Sequence, residues 1–266
     1  MTHRLAHLSD LHFGEADPAR VAEMAADVRA ATPDAVVISG DLTRRAQPQE
    51  FEAAFTFLAG LDAPLLVVPG NHDIPHSALW ERFMAPKRRW RAARLTAPAE
   101  RLDLDHARLI GLDTVSRAQW HVDWSAGAVP QHRLERLEAA LAVGRGKPTL
   151  VICHHPLVHG AWAGRRRTPR GAEATMRVLR RENVDGLLCG HLHRAEVTPL
   201  GPEPGAPRQV MAPSAFSPRG TSAVNGWNLI EWEEGRLRVT TREVTRQGWR
   251  ERLLEAARGP RRACQP

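Results

Sequence analysis

Three short apolar runs open the chain, and each stops abruptly at a polar turn: Leu5-Ala6-His7-Leu8, Ala35-Val36-Val37-Ile38 and Pro64-Leu65-Leu66-Val67-Val68. Runs of this length, rich in leucine and β-branched residues, predict buried strands over 4–9, 35–39 and 64–68. Between them, Pro18 and Pro48 suit the first turns of helices predicted over about 18–31 and 48–59. A short helix and a basic loop then lead to about residue 100, where 102–104 and 108–112 read as a hairpin. A helix near 130–143 precedes a strand at 148–153, and a helix near 171–182 precedes one at 185–189. Afterwards the pattern changes: 194–200, 208–212, 226–232 and 237–244 are extended runs broken by Gly and Pro, with no helices between them. A βαβαβ opening and an antiparallel close are both satisfied by an α/β fold, a four-layer αββα sandwich of two mixed sheets flanked by helices. One domain over 1–245 and a basic C-terminal tail over 246–266 are expected. The closing strands could complete the second sheet and present an edge to a partner, including a second copy in a homodimer.

Candidate chemistry is concentrated where the apolar runs end. Gly70-Asn71-His72-Asp73 follows the third run, Asp10-Leu11-His12 the first and Gly40-Asp41 the second. His154-His155-Pro156 follows Thr149–Cys153, and Gly190-His191-Leu192-His193 follows Gly186–Cys189. Asn and Asp are also ordinary turn formers, so no single motif decides the matter. Their order does: His12 to Asp41 and Asp41 to Asn71 are 29 and 30 residues apart, the length of a βαβ unit. That spacing returns each motif to one edge of a parallel sheet, where loops gather ligands. Residues two apart in an extended segment face one side, so Asp10 and His12 can reach the same ion.

Composition adds limits. The 266 residues are 42% hydrophobic and 25% charged, ordinary for a globular protein, and no run is long enough to span a bilayer. Met1-Thr2-His3-Arg4 leads directly into the first strand, so a cytoplasmic location is expected. Three cysteines without framework spacing agree; Cys153 and Cys189 read as buried thiols, and Cys264 lies in the tail. The net charge of +7 implies attraction to anions. Arginine clusters at Lys87-Arg88-Arg89-Trp90-Arg91 with Arg94, at Arg165-Arg166-Arg167 with Arg170, and at Arg258, Arg261 and Arg262. Such runs are usually solvated faces, but the first two follow site motifs closely and could contact an anionic lipid or a polyanion. Trp90 and Trp162 within them could stack on a base, pack on lipid or serve the core.

The ordered set D-x-H, G-D, G-N-H-D, H and G-H-x-H over residues 10 to 193 resembles the calcineurin-like metallophosphoesterase superfamily. The opening His7-Leu8-Ser9-Asp10-Leu11-His12-Phe13-Gly14, with Gly40–Thr43 and Pro69–Asp73, is most similar to the class III cyclic nucleotide phosphodiesterases. That branch includes enzymes acting on glycerophosphodiesters. The resemblance implies a dimetal site at the strand C-terminal ends: one ion on Asp10, His12, Asp41 and His193, the other on Asp41, Asn71, His154 and His191. Asp41 would bridge. It also implies a metal-bridging hydroxide as nucleophile on small phosphodiesters. His72 would contact the phosphate or leaving group, and Asp73 would orient His72. Nitrogen and oxygen donors without thiolate suit Mn, Fe or Zn. Two ions about 3.5–4 Å apart can acidify water and neutralise phosphoryl oxygens. Two dications against Asp10, Asp41 and hydroxide leave a small positive charge, which favours diester monoanions. Phospholipid-derived or nucleic-acid diesters are the alternative substrates, and a non-catalytic scaffold would show broken ligands, which this chain lacks.

Asn71, His72 and His159 are candidate substrate contacts, with His76 another pocket residue. His155 should face away from His154 and be structural, and His3, His7, His106, His121 and His132 belong to no motif.

Overall fold

The computed structural model describes residues 3–93, 100–116, 125–144, 146–217, 224–233 and 236–258. Arg94, His121, Arg261, Arg262 and Cys264 lie outside these. Three parallel strands begin the molecule: β1 (His3–Leu8), β2 (Ala35–Ile38) and β3 (Leu65–Val67). Helices α1 (Pro18–Ala30) and α2 (Pro48–Ala59) connect them. Both helices start where proline predicts, and each start is capped. Asp17 accepts from the Ala19 amide at 3.0 Å, and Glu50 accepts from the Arg45 and Gln47 amides at 2.8 and 3.1 Å.

Two short helices follow, α3 (Leu79–Met84) and α4 (Arg88–Ala93), then the hairpin β4 (Arg101–Asp103) and β5 (Arg108–Gly111). Next come α5 (Gln131–Ala142), β6 (Thr149–Ile152), α6 (Ala172–Arg181), β7 (Gly186–Cys189), β8 (Glu196–Pro199) and β9 (Arg208–Met211). β10 (Gly226–Glu233), β11 (Arg236–Thr245) and β12 (Gly248–Arg258) close the chain.

The two six-stranded sheets are ordered β12-β11-β10-β1-β2-β3 and β4-β5-β6-β7-β9-β8. Alternation along the strands explains the layering. Leu5 and Val37 face an inter-sheet core with Leu109, Leu150, Leu188 and Ile230. Ala6, Leu8, Val36 and Ile38 face the opposite way, against Met24, Val28, Phe51 and Leu58 of α1 and α2. On the second sheet, Val151 and Leu187 pack on Leu134, Leu137, Val178 and Leu179 of α5 and α6. Strands buried on both faces read as continuous apolar runs, as seen in the sequence.

The predicted elements are present, and two expectations need correcting. The closing strands divide between the sheets: β8 and β9 complete the second, as expected, whereas β10 pairs antiparallel with β1, with Leu5 opposite Ile230, and with β11 and β12 extends the first. The tail expected from residue 246 begins with a strand, because Gly248–Arg258 pairs along the length of β11. Trp90 is neither a base-stacking nor a lipid-facing residue; it is buried against Phe51 at 6.2 Å between ring centres. No described helix is long and apolar enough to cross a membrane.

Candidate metal centre

The C-terminal ends of β1, β2 and β3 meet those of β6 and β7, and all five strand-end motifs converge there. The backbone does the aiming. Asp10, His12, Asp41, His191 and His193 all have φ between 48° and 71°, the left-handed region that non-glycine residues seldom adopt. Such geometry costs on the order of 1 kcal/mol per residue and concentrates at functional sites. Close backbone approach demands glycine beside it: a Cβ on Gly190 would overlap Ser9 Oγ, and one on Gly40, at φ 97°, would lie 2.6 Å from His154 Nδ1.

Two donor groups share Asp41. In the first, His193 Nε2 is 3.1 Å from Asp10 Oδ1 and 3.3 Å from His12 Nε2. In the second, His154 Nε2 is 3.0 Å from Asn71 Oδ1 and 3.3 Å from Asp41 Oδ2. His12 Nε2 reaches the same Asp41 oxygen at 4.0 Å. His191 joins through its ring, 5.1 Å centre to centre from His154. Further hydrogen bonds set the donors. His154 Nδ1 donates to the Ser39 carbonyl at 2.8 Å, which turns the Nε2 lone pair inward. Ser9 Oγ and the His191 amide donate to Asp10 Oδ2 at 2.6 and 2.9 Å. The His72 amide donates to Asp41 Oδ1 at 2.7 Å.

Asp10, Asp41 and His154 are buried. Burial alone would raise both carboxyls, yet His193 holds Asp10, and His154 holds Asp41, well below the usual range. Burial likewise opposes protonation of His154, but Asp41 pushes it up to about 9. His191 is pushed down to about 3 by burial and then by the His154 charge. The two ionised carboxylates are thus offset by the surrounding imidazoles, a charge that bound cations can take over. Donors at 3.0–3.3 Å match the separation of neighbouring ligands on one ion, given bonds of about 2.0–2.2 Å to nitrogen and oxygen. The residues fit a pair of divalent cations: each group offers imidazole nitrogen and oxygen, with Asp41 common to both.

Other predicted residues fall differently. Asp73 does not orient the His72 ring; its oxygens accept from the Leu42, Thr43 and Gly70 amides at 3.2, 2.9 and 2.9 Å, and from Thr43 Oγ1 at 2.9 Å. It fastens the Asp41 loop to the Asn71 turn. The His72 ring is held by Arg44, whose carbonyl and Nη1 stand 2.9 and 3.0 Å from Nδ1, and Glu15 anchors Arg44 at 2.8 Å. Sequence reasoning missed Arg44, and its position three residues beyond Asp41 was the available signal. His76 packs on His72 at 5.1 Å. His159 is half-buried, and no described contact joins it to the donors. His155 is closer than expected: its ring centre is 4.7 Å from His191, and Thr114 Oγ1 lies 2.7 Å from its Nδ1. Cys153 and Cys189 are buried free thiols, pushed up by burial. The first arginine cluster is largely paired, Lys87 with Asp113, and Arg88 and Arg89 with Glu81. The ring of Trp162 lies under Arg194, 4.6 Å away.

A two-sheet αββα sandwich with such a centre defines a metallophosphoesterase-type protein. The family profile of the calcineurin-like phosphoesterases matches residues 3–195, and the chain belongs to that family. It is 30% identical over 210 residues to a glycerophosphodiester phosphodiesterase of Enterobacter lignolyticus, covering 73% of this chain and 72% of that one. A cAMP/cGMP dual specificity phosphodiesterase of Mycobacterium tuberculosis is 29% identical, over 71% of this chain and 61% of its own length. A 3′,5′-cyclic adenosine monophosphate phosphodiesterase of Escherichia coli is 26% identical, over 60% and 54%. The match thus spans under two thirds of the last two relatives. Among solved structures, a dimetal phosphatase from Danio rerio shares the fold with a TM-score of 0.65 at 11% identity, covering 95% of this chain and 99% of that one. A purple acid phosphatase from yellow lupin gives 0.67 at 16%, covering 91% and 52%.

Proposed function

We propose that this chain is a dinuclear metal-dependent phosphodiesterase of small diesters, of the glycerophosphodiester or 3′,5′-cyclic nucleotide kind. The observation that carries the reading is the position of Asp41, whose Oδ2 faces His12 Nε2 at 4.0 Å and His154 Nε2 at 3.3 Å. One carboxylate so placed serves both donor groups, with Asp10, His12 and His193 on one side and Asn71, His154 and His191 on the other. Two divalent ions of Mn, Fe or Zn type, when bound, supply Lewis acidity and an acidified water for in-line attack on phosphorus. Only Asp10 and Asp41 oppose the four positive charges of two dications, so the loaded site attracts an anion. The three relatives named above are all phosphodiesterases, which supports the substrate class.

His72 is the residue assigned to the departing oxygen. Its Nδ1 has a partner in either protonation state: neutral, it accepts from Arg44 Nη1, and protonated, it donates to the Arg44 carbonyl. In the protonated ring, with Nδ1–H held by the Arg44 carbonyl, the Nε2 proton can pass to the departing oxygen and leave a neutral imidazole. Asp73 acts earlier in the chain of support, by keeping the Asp41 and Asn71 loops in register.

The test is hydrolysis by Mn-loaded protein of bis(p-nitrophenyl) phosphate, p-nitrophenyl phosphate and 3′,5′-cyclic AMP. Metal-dependent cleavage of the diesters, weak on the monoester, is expected. A monoesterase rate above the diesterase rate overturns the reading. His72→Ala should slow an alkoxide leaving group more than an aryl one, and equal losses would remove His72 from proton donation.

A further inference from the structure

The two arginine-bearing stretches that follow site motifs in the sequence meet in space. A cavity of about 470 Å³ is lined by Lys87 from the first, Arg170 from the second, and Ser116, His132 and Arg133 between them in the chain. Its volume is in the range of small-molecule sites. Lys87 and Arg133 share one carboxylate, Asp113, with Arg133 at 3.4 Å. Arg133 also donates to the Asp113 and Val115 carbonyls at 2.7 and 2.9 Å, which fixes the guanidinium. Arg170 is exposed, and its side chain makes no ion pair among the described residues. Its backbone is nonetheless anchored, because its carbonyl accepts from the Val129 amide at 2.8 Å. Positive charge therefore exceeds negative on this wall. Burial, with Arg133 and Arg91, pushes the Lys87 ammonium down to about 7, while Glu100 acts in the opposite sense.

The cavity adjoins the metal centre from two sides. Ile74, part of its lining, is three residues from Asn71, so their Cα atoms stand within about 11 Å. Ala128, also in the lining, follows Gly127, and a Cβ on Gly127 would lie 2.6 Å from His155 Nδ1, beside His154. A guanidinium with no carboxylate partner among the described residues, lining one cavity with a second that is rigidly held, matches the forked geometry of a phosphate group.

We propose that this cavity is a second anion subsite, and that the chain prefers phosphodiesters bearing an additional phosphate group. The inference rests on the diester reading above and narrows its substrate class. Arg170 supplies the new contact, and Arg133 and Lys87 set the potential around it.

Two thymidine substrates that differ in one group test it: thymidine 5′-(p-nitrophenyl phosphate), and the same ester carrying a 3′-phosphate. For Mn-loaded wild-type protein, kcat/KM should be roughly tenfold or more higher on the 3′-phosphorylated ester, the scale of one charge-assisted contact. Arg170→Ala should abolish most of that preference, and Arg170→Lys should restore part of it. Equal kcat/KM on both esters in wild type, or a preference that survives Arg170→Ala, overturns the subsite. Failure of wild type to cleave either ester defeats the diester reading instead. The subsite is then decided by calorimetric titration of pyrophosphate into chelator-treated full-length protein. Binding weakened in Arg170→Ala supports it, and equal binding in the two proteins overturns it.

Discussion

At the C-terminal ends of β1 and β2, Asp10, His12 and Asp41 are buried and face histidines from the second sheet. At the N-terminal ends of the same strands, His3 and Asp34 meet His106 from the β4–β5 turn, partly open to solvent. Both clusters hold histidine and carboxylate within reach of one ion, yet their geometry differs. The His3 and His106 rings are stacked, 3.4 Å apart and 10° from parallel. An imidazole lone pair lies in the plane of its ring, so stacked rings cannot aim two lone pairs at one point between them. His12 and His193 are inclined by 58° with their Nε2 atoms 3.3 Å apart, and they can. Asp34 also accepts from the Arg4 amide at 2.8 Å, so its oxygen already serves the backbone. Residue type is therefore a weak guide to a metal site; backbone conformation and burial decide it.

The sharpest way to break that comparison is Asp41→Ala. Both ions should be lost together, with turnover falling by about a thousandfold or more, as metal analysis and diester hydrolysis would read. Two ions retained would show that Asp41 is not shared. The next effect is on acid stability. His7, buried on β1 with Nε2 2.9 Å from Ser39 Oγ, is pushed down to about 3 by burial, against the charge of Asp10. The folded state keeps it neutral while the unfolded chain protonates it near 6.5. Its contribution is thus fully present above about pH 6.5 and is lost as pH falls toward 3, on the order of a few kcal/mol. Denaturant unfolding of chelator-treated His7→Gln between pH 4 and 7 should show a flatter pH slope than wild type. An unchanged slope would assign the acid limb to other groups.

Asp73→Asn comes third. Its amide nitrogen would face backbone N–H donors at one of the two oxygen positions, costing about 2 kcal/mol and weakening metal retention. Denaturation and metal titration would read both, and wild-type values would show that the tie between the two loops is dispensable. The smallest effect belongs to the outer cluster. His106→Ala should change stability by about 0.5 kcal/mol or less and leave metal content as in wild type. Loss of one equivalent of bound metal would make that cluster a site after all.

The five strand-end motifs and the connecting helices were legible because each depends on signals within a few residues: apolar runs, prolines at helix starts and glycines at turns. The roughly 30-residue spacing from His12 to Asp41 to Asn71 was enough to place their motifs on one sheet edge. The tie made by Asp73 was not legible, since its partners Leu42 and Thr43 lie some thirty positions earlier, and nothing in the Gly40–Thr43 motif says that its amides point at Asp73. The same holds for Arg44 against His72, and for Trp90, whose sequence context left base, lipid and core open until Phe51 of α2 was seen to pack against it.

Taken alone, the amino-acid order determined the strand-helix alternation and the order of the candidate donor residues at the strand ends, because hydrophobic period and backbone preference act locally. Tertiary structure decided that β10 would insert beside β1, which way the ligand residues turn, and that Lys87 and Arg170 would line one cavity. Those outcomes depend on pairing and packing between segments far apart in the chain, where many arrangements satisfy the same local pattern. Only the joint burial of both sheet faces selects among them.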